Sequence, residues 1–124
     1  MNYDSVFDKW HEECGVFGIY DRTVDVARYV YWGLFALQHR GQESAGIAVT
    51  DGHDVELKKG MGLLTEAIKE LPALPSYMGT GHVRYSTTGS NNPRNIQPLV
   101  IHYQGGQIAV AHNGNLTNAL SIRK

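Results

Sequence analysis

The residue best suited to covalent chemistry is Cys14, the single cysteine among 124 residues. It lies in HEECGVFGIYD (11–21), behind an acidic and aromatic leader and directly before a glycine-spaced apolar segment. Free cysteine is among the most buried residue types, so its position alone favours a packing role. The alternative interpretation is a nucleophile, because a thiolate attacks electrophilic carbon readily.

A nucleophilic thiol needs a base, since an ordinary thiol pKa of about 8.5 leaves little thiolate at neutral pH. His11 lies three residues before Cys14, but the surrounding leader has no regular pattern that would orient it. An α-amino group, with a pKa of about 7.7–8.0, serves as the base when the nucleophile is the first residue. This route predicts that residues 1–13 are removed, because an amide nitrogen cannot take up the proton.

Three polar segments interrupt the apolar pattern where predicted strands or helices end, and they are HRGQESAG (39–46), GHVRYSTTG (81–89) and HNGNL (112–116). Functional groups commonly sit at such ends, held by a rigid scaffold. Arg84 and Arg40 each allow two interpretations, a surface ion pair or a fork that binds a carboxylate through two hydrogen bonds. Gly41, next to Arg40, would let the backbone approach a ligand closely.

The HNGN segment at 112–115 offers neutral hydrogen-bond donors. Asn-Gly is a strong turn signal, but the LTNAL that follows favours a helix over a returning strand. The segment therefore exposes the Asn113 side-chain amide and the Gly114 N–H at a strand end. Such donors are the groups that form an oxyanion hole.

Composition excludes several other functions. A formal net charge of -1, without a run of Lys or Arg, argues against a nucleic-acid or anionic-membrane binder. The six histidines never occur at H-x-x-x-H spacing, and one cysteine is poor material for zinc, so no metal site is predicted. One cysteine also excludes an internal disulfide, and the leader does not have the pattern of a secretory signal. These observations predict a cytoplasmic protein.

The elements that must position these groups follow from periodicity and turn signals. We predict a strand over 14–20, a helix of about 15 residues capped by Thr23 and ended by Gly41, and a hairpin of 45–50 with 55–59 around Asp51-Gly52. Next come a helix over 63–71, a strand over 79–85, a hairpin of 98–103 with 107–113, and a helix from about Thr117. Hairpins outnumber crossovers, which predicts an α+β or layered αββα fold with mainly antiparallel sheets.

Four segments together are specific: EECGVFGIYD (12–21), LQHRGQESAGIAV (37–49), GTGHVRYSTTG (79–89) and AHNGNLTNA (111–119). In this order and at these separations they resemble the amino-terminal glutaminase domain of the amidophosphoribosyltransferase family, a class II glutamine amidotransferase. The resemblance runs from about Glu12 to the last residue. It implies a four-layer αββα sandwich of the N-terminal-nucleophile hydrolase type.

The resemblance also implies residue roles. Cys14 would attack the carboxamide of glutamine, with its freed amine carrying the proton. Asn113 and the Gly114 N–H would bind the oxyanion. Arg84 would bind the α-carboxylate of glutamine, and the remaining pocket residues would be Tyr85, Thr87, Arg40 and Gly41.

The same resemblance sets expectations about the rest of the protein. Residues 1–13 would be a propeptide, and 14–124 the N-terminal part of a domain whose remainder, with a phosphoribosyltransferase domain, lies outside this chain. The site for Mg²⁺ and phosphoribosylpyrophosphate, and the ligands of any 4Fe-4S cluster, would lie there too. The full-length protein would be a homo-oligomer, and this fragment alone would be inactive. Two alternatives stay open: a glutamine-binding module without turnover, and a sister class II amidotransferase with another acceptor.

Overall fold

The computed structural model describes residues 14–38, 42–85 and 93–113 of the chain. The elements in these ranges are β1 (Gly15–Tyr20), α1 (Val26–Leu37), β2 (Ser44–Thr50), β3 (Val55–Met61), α2 (Leu64–Ala67), β4 (Met78–Arg84), a 3₁₀ turn (Pro93–Asn95), β5 (Leu99–Tyr103) and β6 (Gly106–Val110). The predicted order is confirmed as far as Val110. The predicted helix near Thr117 lies outside the described residues.

Within those ranges the strands form one four-stranded sheet, ordered β1-β4-β2-β3, and one two-stranded sheet, β5-β6. Every pairing is antiparallel, as predicted. The β2–β3 hairpin turns at Asp51-Gly52, where Gly52 has φ +93. The Asp51 carboxylate accepts the N–H groups of His53 and Asp54 at 2.9 and 2.7 Å, which holds the chain in the turn.

Helix α1 covers one face of the larger sheet with Val26, Val30 and Leu34, all of them buried. Gly81 of β4 makes this close packing possible. A Cβ on Gly81 would lie 2.7 Å from side-chain carbons of Val30 and Leu34. The helix axis can approach the sheet because β4 presents no side chain at that point.

The limits of α1 differ from the prediction. The N-cap is Asp25, whose carboxylate accepts the Arg28 N–H, so the assignment of Thr23 as the cap is wrong. The Thr23 N–H and hydroxyl both donate to Asp21 at 2.7 and 2.6 Å, which places Thr23 in the turn before the helix. The helix ends at Leu37, and the predicted stop at Gly41 lies outside the described residues.

The helix predicted over 63–71 is wrong in length, because only the turn Leu64–Ala67 is helical. Ile68 leaves the helical conformation, with φ -119 and ψ 88. Beyond it the Glu56 carboxylate of β3 accepts the Ala73 and Leu74 N–H groups at 3.1 and 3.0 Å. These tertiary bonds and the buried Ile68 draw the chain along the sheet, which overrides local helix propensity.

The β5–β6 hairpin lies on the face of the larger sheet that α1 leaves free. Gln107 of β6 accepts the Val55 N–H at 3.0 Å, and the backbone of Gln97 and Pro98 packs against Gly46 of β2. The described residues therefore form a helix, a sheet and a second sheet, stacked in that order. This arrangement is an α+β fold, in agreement with the predicted layers. No helix in the described ranges is long and apolar enough to cross a membrane.

Candidate active site

Cys14 directly precedes β1 at one end of the larger sheet. In the β1–β4 register Gly15 is opposite Val83, so continuing by one position sets Cys14 opposite Arg84. The thiol is half-buried, and its sulfur lies 3.9 Å from the Tyr85 carbonyl oxygen. Cys14 is not a member of the buried apolar cluster, so the packing interpretation loses its main support.

Arg84 is the last residue of β4 and shares a face of the sheet with His82, two positions earlier. Its Nη1 donates to the Asn95 carbonyl oxygen at 3.3 Å. No carboxylate in the described part of the chain lies within ion-pair distance of its guanidinium. Since a guanidinium carries five N–H donors, Arg84 keeps donors for a bound carboxylate.

Tyr85 follows Arg84 and turns to the opposite face. Its side chain is 6% exposed and packs in the apolar cluster beneath α1. Its backbone carbonyl faces the Cys14 sulfur. The predicted contact of Tyr85 with glutamine stays a prediction.

His82 is a buried polar residue that sequence reasoning missed as part of this region. The side chain is 1% exposed, and neither ring nitrogen has a hydrogen-bond partner of good geometry among the described residues. The pKa of His82 is lowered to about 4, chiefly by burial, and the Arg84 and His112 charges act in the same direction, while the His112 backbone, which approaches the ring, partly opposes the shift. The imidazole is therefore neutral at physiological pH.

Asn113, the predicted oxyanion donor, is exposed and lies three residues beyond the end of β6. The preceding His112 N–H donates to the Gln97 side-chain oxygen at 2.6 Å. Gln97 was not among the predicted site residues. No motif marks it, because its role depends on which strand the tertiary fold sets opposite His112.

The other predicted site residues, Arg40, Gly41, Thr87 and Gly114, lie outside the described residues, and their roles stay predictions. The described candidates that the fold brings to one end of the sheet are Cys14, Arg84 and the backbone of Tyr85. This end combines a thiol, a cationic fork and a neutral imidazole. Such a combination suits a small substrate that carries a carboxylate.

A cavity of about 770 Å³ lies between the larger sheet and β6. Its walls include Tyr20, Thr50, Tyr77 and Ile108, at the end of β1 remote from Cys14. None of the described candidate residues lines it, so the cavity does not bear on their chemistry.

The described residues bring together no group of three or more His, Cys, Asp or Glu side chains that would hold a metal ion. They therefore supply no ligand set that fits Mg²⁺ or an iron–sulfur cluster.

Comparison with known proteins agrees with the site's chemistry. The family model described as "Glutamine amidotransferases class-II" matches residues 38–123. The amidophosphoribosyltransferase of Methanocaldococcus jannaschii is 51% identical over 114 residues, which cover 90% of this chain and 24% of that protein. The enzyme of the same name from Staphylococcus aureus is 49% identical over 117 residues, which cover 92% of this chain and 24% of that protein. The chain thus spans about a quarter of the length of these curated relatives.

Two solved structures share the fold. One is the glutamine phosphoribosylpyrophosphate amidotransferase of B. subtilis complexed with ADP and GMP, with a TM-score of 0.76 and 44% identity over 87% of this chain and 23% of that one. The other is described as the allosteric regulatory enzyme of purine biosynthesis, with a TM-score of 0.76 and 42% identity over 87% of this chain and 24% of that one.

Proposed function

The chain belongs to the class II glutamine amidotransferase family, and from this membership we propose that it is the glutaminase portion of an amidophosphoribosyltransferase. It hydrolyses glutamine and delivers the ammonia to phosphoribosylpyrophosphate, giving phosphoribosylamine, the first step of de novo purine synthesis. The observation that carries the proposal is the adjacency of a half-buried thiol, Cys14, and an arginine without a carboxylate partner in the described chain, Arg84.

In the proposed reaction Cys14 is the first residue of the mature protein, after removal of residues 1–13. Its α-amine takes the thiol proton, and the sulfur forms a bond to the carboxamide carbon of glutamine while the C=O π pair moves to oxygen. The Asn113 amide and the Gly114 N–H donate to this oxyanion.

The tetrahedral intermediate collapses when the C–N bond breaks and the α-ammonium gives its proton to the leaving nitrogen. Ammonia departs and leaves a thioester on Cys14. Water then attacks the thioester carbon and gives a proton to the same amine, and the C–S bond breaks as the α-ammonium returns this proton to the sulfur. The products are glutamate and the restored thiol.

Arg84 binds the α-carboxylate of glutamine through charge-assisted hydrogen bonds, which sets the distance from the sulfur to the carboxamide carbon. The Tyr85 backbone, whose carbonyl faces the Cys14 sulfur, completes the pocket together with Thr87, Arg40 and Gly41 in this proposal. The planar guanidinium can donate two parallel hydrogen bonds to the carboxylate. A lysine ammonium in place of Arg84 would keep the charge but lose this geometry, so it would bind glutamine more weakly.

The acceptor half of the reaction belongs to the part of the relatives that this chain does not span. We place phosphoribosylpyrophosphate, Mg²⁺ and any 4Fe-4S cluster there, and we expect a homo-oligomer. We further propose a cytoplasmic location, because a free thiol nucleophile persists in a reducing compartment.

The nucleophile is tested by exposing the full-length protein to a diazo-oxo-norleucine reagent and mapping the adduct by mass spectrometry. We expect one adduct on Cys14, protection by glutamine, and a mature chain that begins at Cys14. Cys14→Ala should give neither adduct nor ammonia. An adduct elsewhere, or glutaminase activity in a chain that retains residues 1–13, would refute the assignment.

The acceptor is tested by measuring glutaminase activity in the presence of different phosphorylated compounds. We expect stimulation by phosphoribosylpyrophosphate. Stimulation by another acceptor alone would identify a sister amidotransferase, and glutamine binding without turnover would identify a binding module.

A further inference from the structure

We infer that Gln97 is a positioning residue that holds the Asn113 backbone in place for oxyanion binding. The inference rests on the proposed function, since it concerns the same glutaminase site. Gln97 does not touch the substrate in this scheme. It acts through the hydrogen bond that its side chain accepts from the His112 N–H, one peptide unit from Asn113.

The β5–β6 ladder cannot hold this segment by itself. The last ladder pair is Leu99 with Val110, and the next position on the β5 side is Pro98, which has no N–H to donate. Continuing the register sets Gln97 opposite His112. The Gln97 side-chain oxygen accepts the His112 N–H at 2.6 Å, so a side chain ties down the segment where the backbone ladder stops.

Gln97 projects from a fixed backbone. Its neighbours Ile96 and Pro98 are both buried, and Lys59 Nζ donates to the Ile96 carbonyl oxygen at 3.4 Å. The Gln97 carbonyl oxygen rests against Gly46 of β2, where any Cβ would overlap it. A side chain on such a backbone can fix its partner to within a fraction of an ångström.

The same segment also contacts the predicted carboxylate-binding residue. Asn95, two positions before Gln97, accepts a hydrogen bond from Arg84 at 3.3 Å. On the sheet below, the buried His82 ring lies against the His112 backbone. Residues 95–97 therefore connect the Arg84 side chain to the strand end that carries Asn113.

Truncation of Gln97 in the full-length protein is expected to lower kcat of glutamine hydrolysis by about 10- to 100-fold, with KM nearly unchanged. An oxyanion donor acts chiefly in the transition state, so its displacement affects kcat more than substrate binding. Gln97→Glu retains an oxygen acceptor at the same place, and we expect it to rescue most of the activity that Gln97→Ala loses.

A double-mutant cycle separates positioning from general damage. In an Asn113→Ala background the donor is already gone, so adding Gln97→Ala should lower kcat by less than about twofold. Gln107→Ala is the matched control. Gln107 also accepts a backbone N–H, that of Val55, but it lies beside the cavity remote from Cys14. It should keep wild-type kcat.

Amide hydrogen exchange of the peptide that contains His112 gives a readout independent of turnover. We expect faster exchange in Gln97→Ala and wild-type exchange in Gln97→Glu and Gln107→Ala. An unchanged kcat in Gln97→Ala, an equal loss in the Asn113→Ala background, or an equal loss in Gln107→Ala would overturn the inference. If the wild-type protein hydrolyses no glutamine, the proposed function fails, and hydrogen exchange alone decides whether Gln97 holds the segment.

Discussion

The surroundings of Arg84 distinguish the two roles that the sequence left open, a surface ion pair and the binding of a substrate carboxylate by the guanidinium. Its guanidinium donates to the Asn95 carbonyl and meets no carboxylate within the described ranges. Its position opposite Cys14 sets it at the end of the sheet that carries the thiol. This environment favours an external carboxylate as its partner.

We predict that Arg84→Lys lowers kcat/KM for glutamine by about 10- to 100-fold, mainly through KM. The ammonium keeps the charge but loses the paired hydrogen bonds, and a hydrogen bond to a charged group is worth about 1.5–3 kcal/mol. Steady-state glutaminase kinetics of the full-length protein measure the effect. Arg28→Lys, on the exposed side of α1, is the control and should behave as wild type. Equal kinetics for both variants would contradict the assignment.

At this scale the sequence reveals residues whose side-chain chemistry is distinctive. Cys14, Arg84 and Asn113 stand out because a thiol suits nucleophilic attack, a guanidinium suits carboxylate binding, and an amide next to glycine suits oxyanion binding. Gln97 and His82 could not be predicted. A glutamine before proline has no local signature, and the burial of His82 depends on a second layer that only the tertiary fold supplies.

Among the elements, the strands follow the sequence closely because turn residues and alternation determine them locally. Asp51-Gly52 predicts the β2–β3 hairpin, and Gln104-Gly105-Gly106 predicts the hairpin of β5 and β6. The helix over 63–71 is shorter than predicted because the chain beyond Ile68 is held by Glu56, which accepts the Ala73 and Leu74 N–H groups from 17 and 18 residues away in the sequence. Long-range hydrogen bonds of this kind leave no trace in local periodicity.

Gly81 gives a test of how closely α1 packs on the sheet. We predict that Gly81→Ala lowers the free energy of unfolding by about 1–3 kcal/mol, because the methyl would press on Val30 and Leu34 at 2.7 Å. Urea unfolding followed by circular dichroism measures it.

Gly18→Ala is the matched control for Gly81→Ala. Gly18 lies on β1, and the nearest atom to an added Cβ is the Gly79 carbonyl oxygen at 3.9 Å. We expect no loss of stability and a gain of up to about 0.5 kcal/mol from reduced backbone entropy in the unfolded chain. Similar losses in both variants would show that the α1 contact is not the cause.

For the molecule as a whole, the order of the layers could be predicted from the sequence. The residues that meet between the two sheets could not. The hairpins and helices indicate an α+β or layered αββα fold, since each apolar face needs a cover, and the described residues show one helix and the two sheets of it. Which residues meet between the two sheets depends on register, and the placement of His82 beneath His112 is one such result. That buried imidazole makes stability depend on pH.

The folded pKa of His82, about 4, is below the ordinary 6.5, so the unfolded chain binds a proton that the folded protein does not. Stability therefore falls as pH decreases from 6.5 to about 4, by about 3 kcal/mol over the whole window. Among the described residues, the charges that act on the ring are those of Arg84 and His112, and both oppose its protonation. His82→Leu should flatten this slope in urea unfolding at several pH values.

His53→Leu is the control for that measurement, since the His53 side chain is exposed on the β2–β3 turn. It should keep the wild-type slope. A His82→Leu protein with the full wild-type slope would show that other groups cause the acid sensitivity.

The strand order β1-β4-β2-β3 leaves β1 with one neighbour in the described sheet, and Cys14 stands just outside its first paired residue. Scission of the peptide bond before Cys14 would therefore sever no interstrand hydrogen bond of that sheet. The new N-terminus at Cys14 would directly precede the strand β1, which is already paired with β4 at the edge of the described sheet. If residues 1–13 are removed as proposed, the described sheet would not need to change when Cys14 gains its free amine.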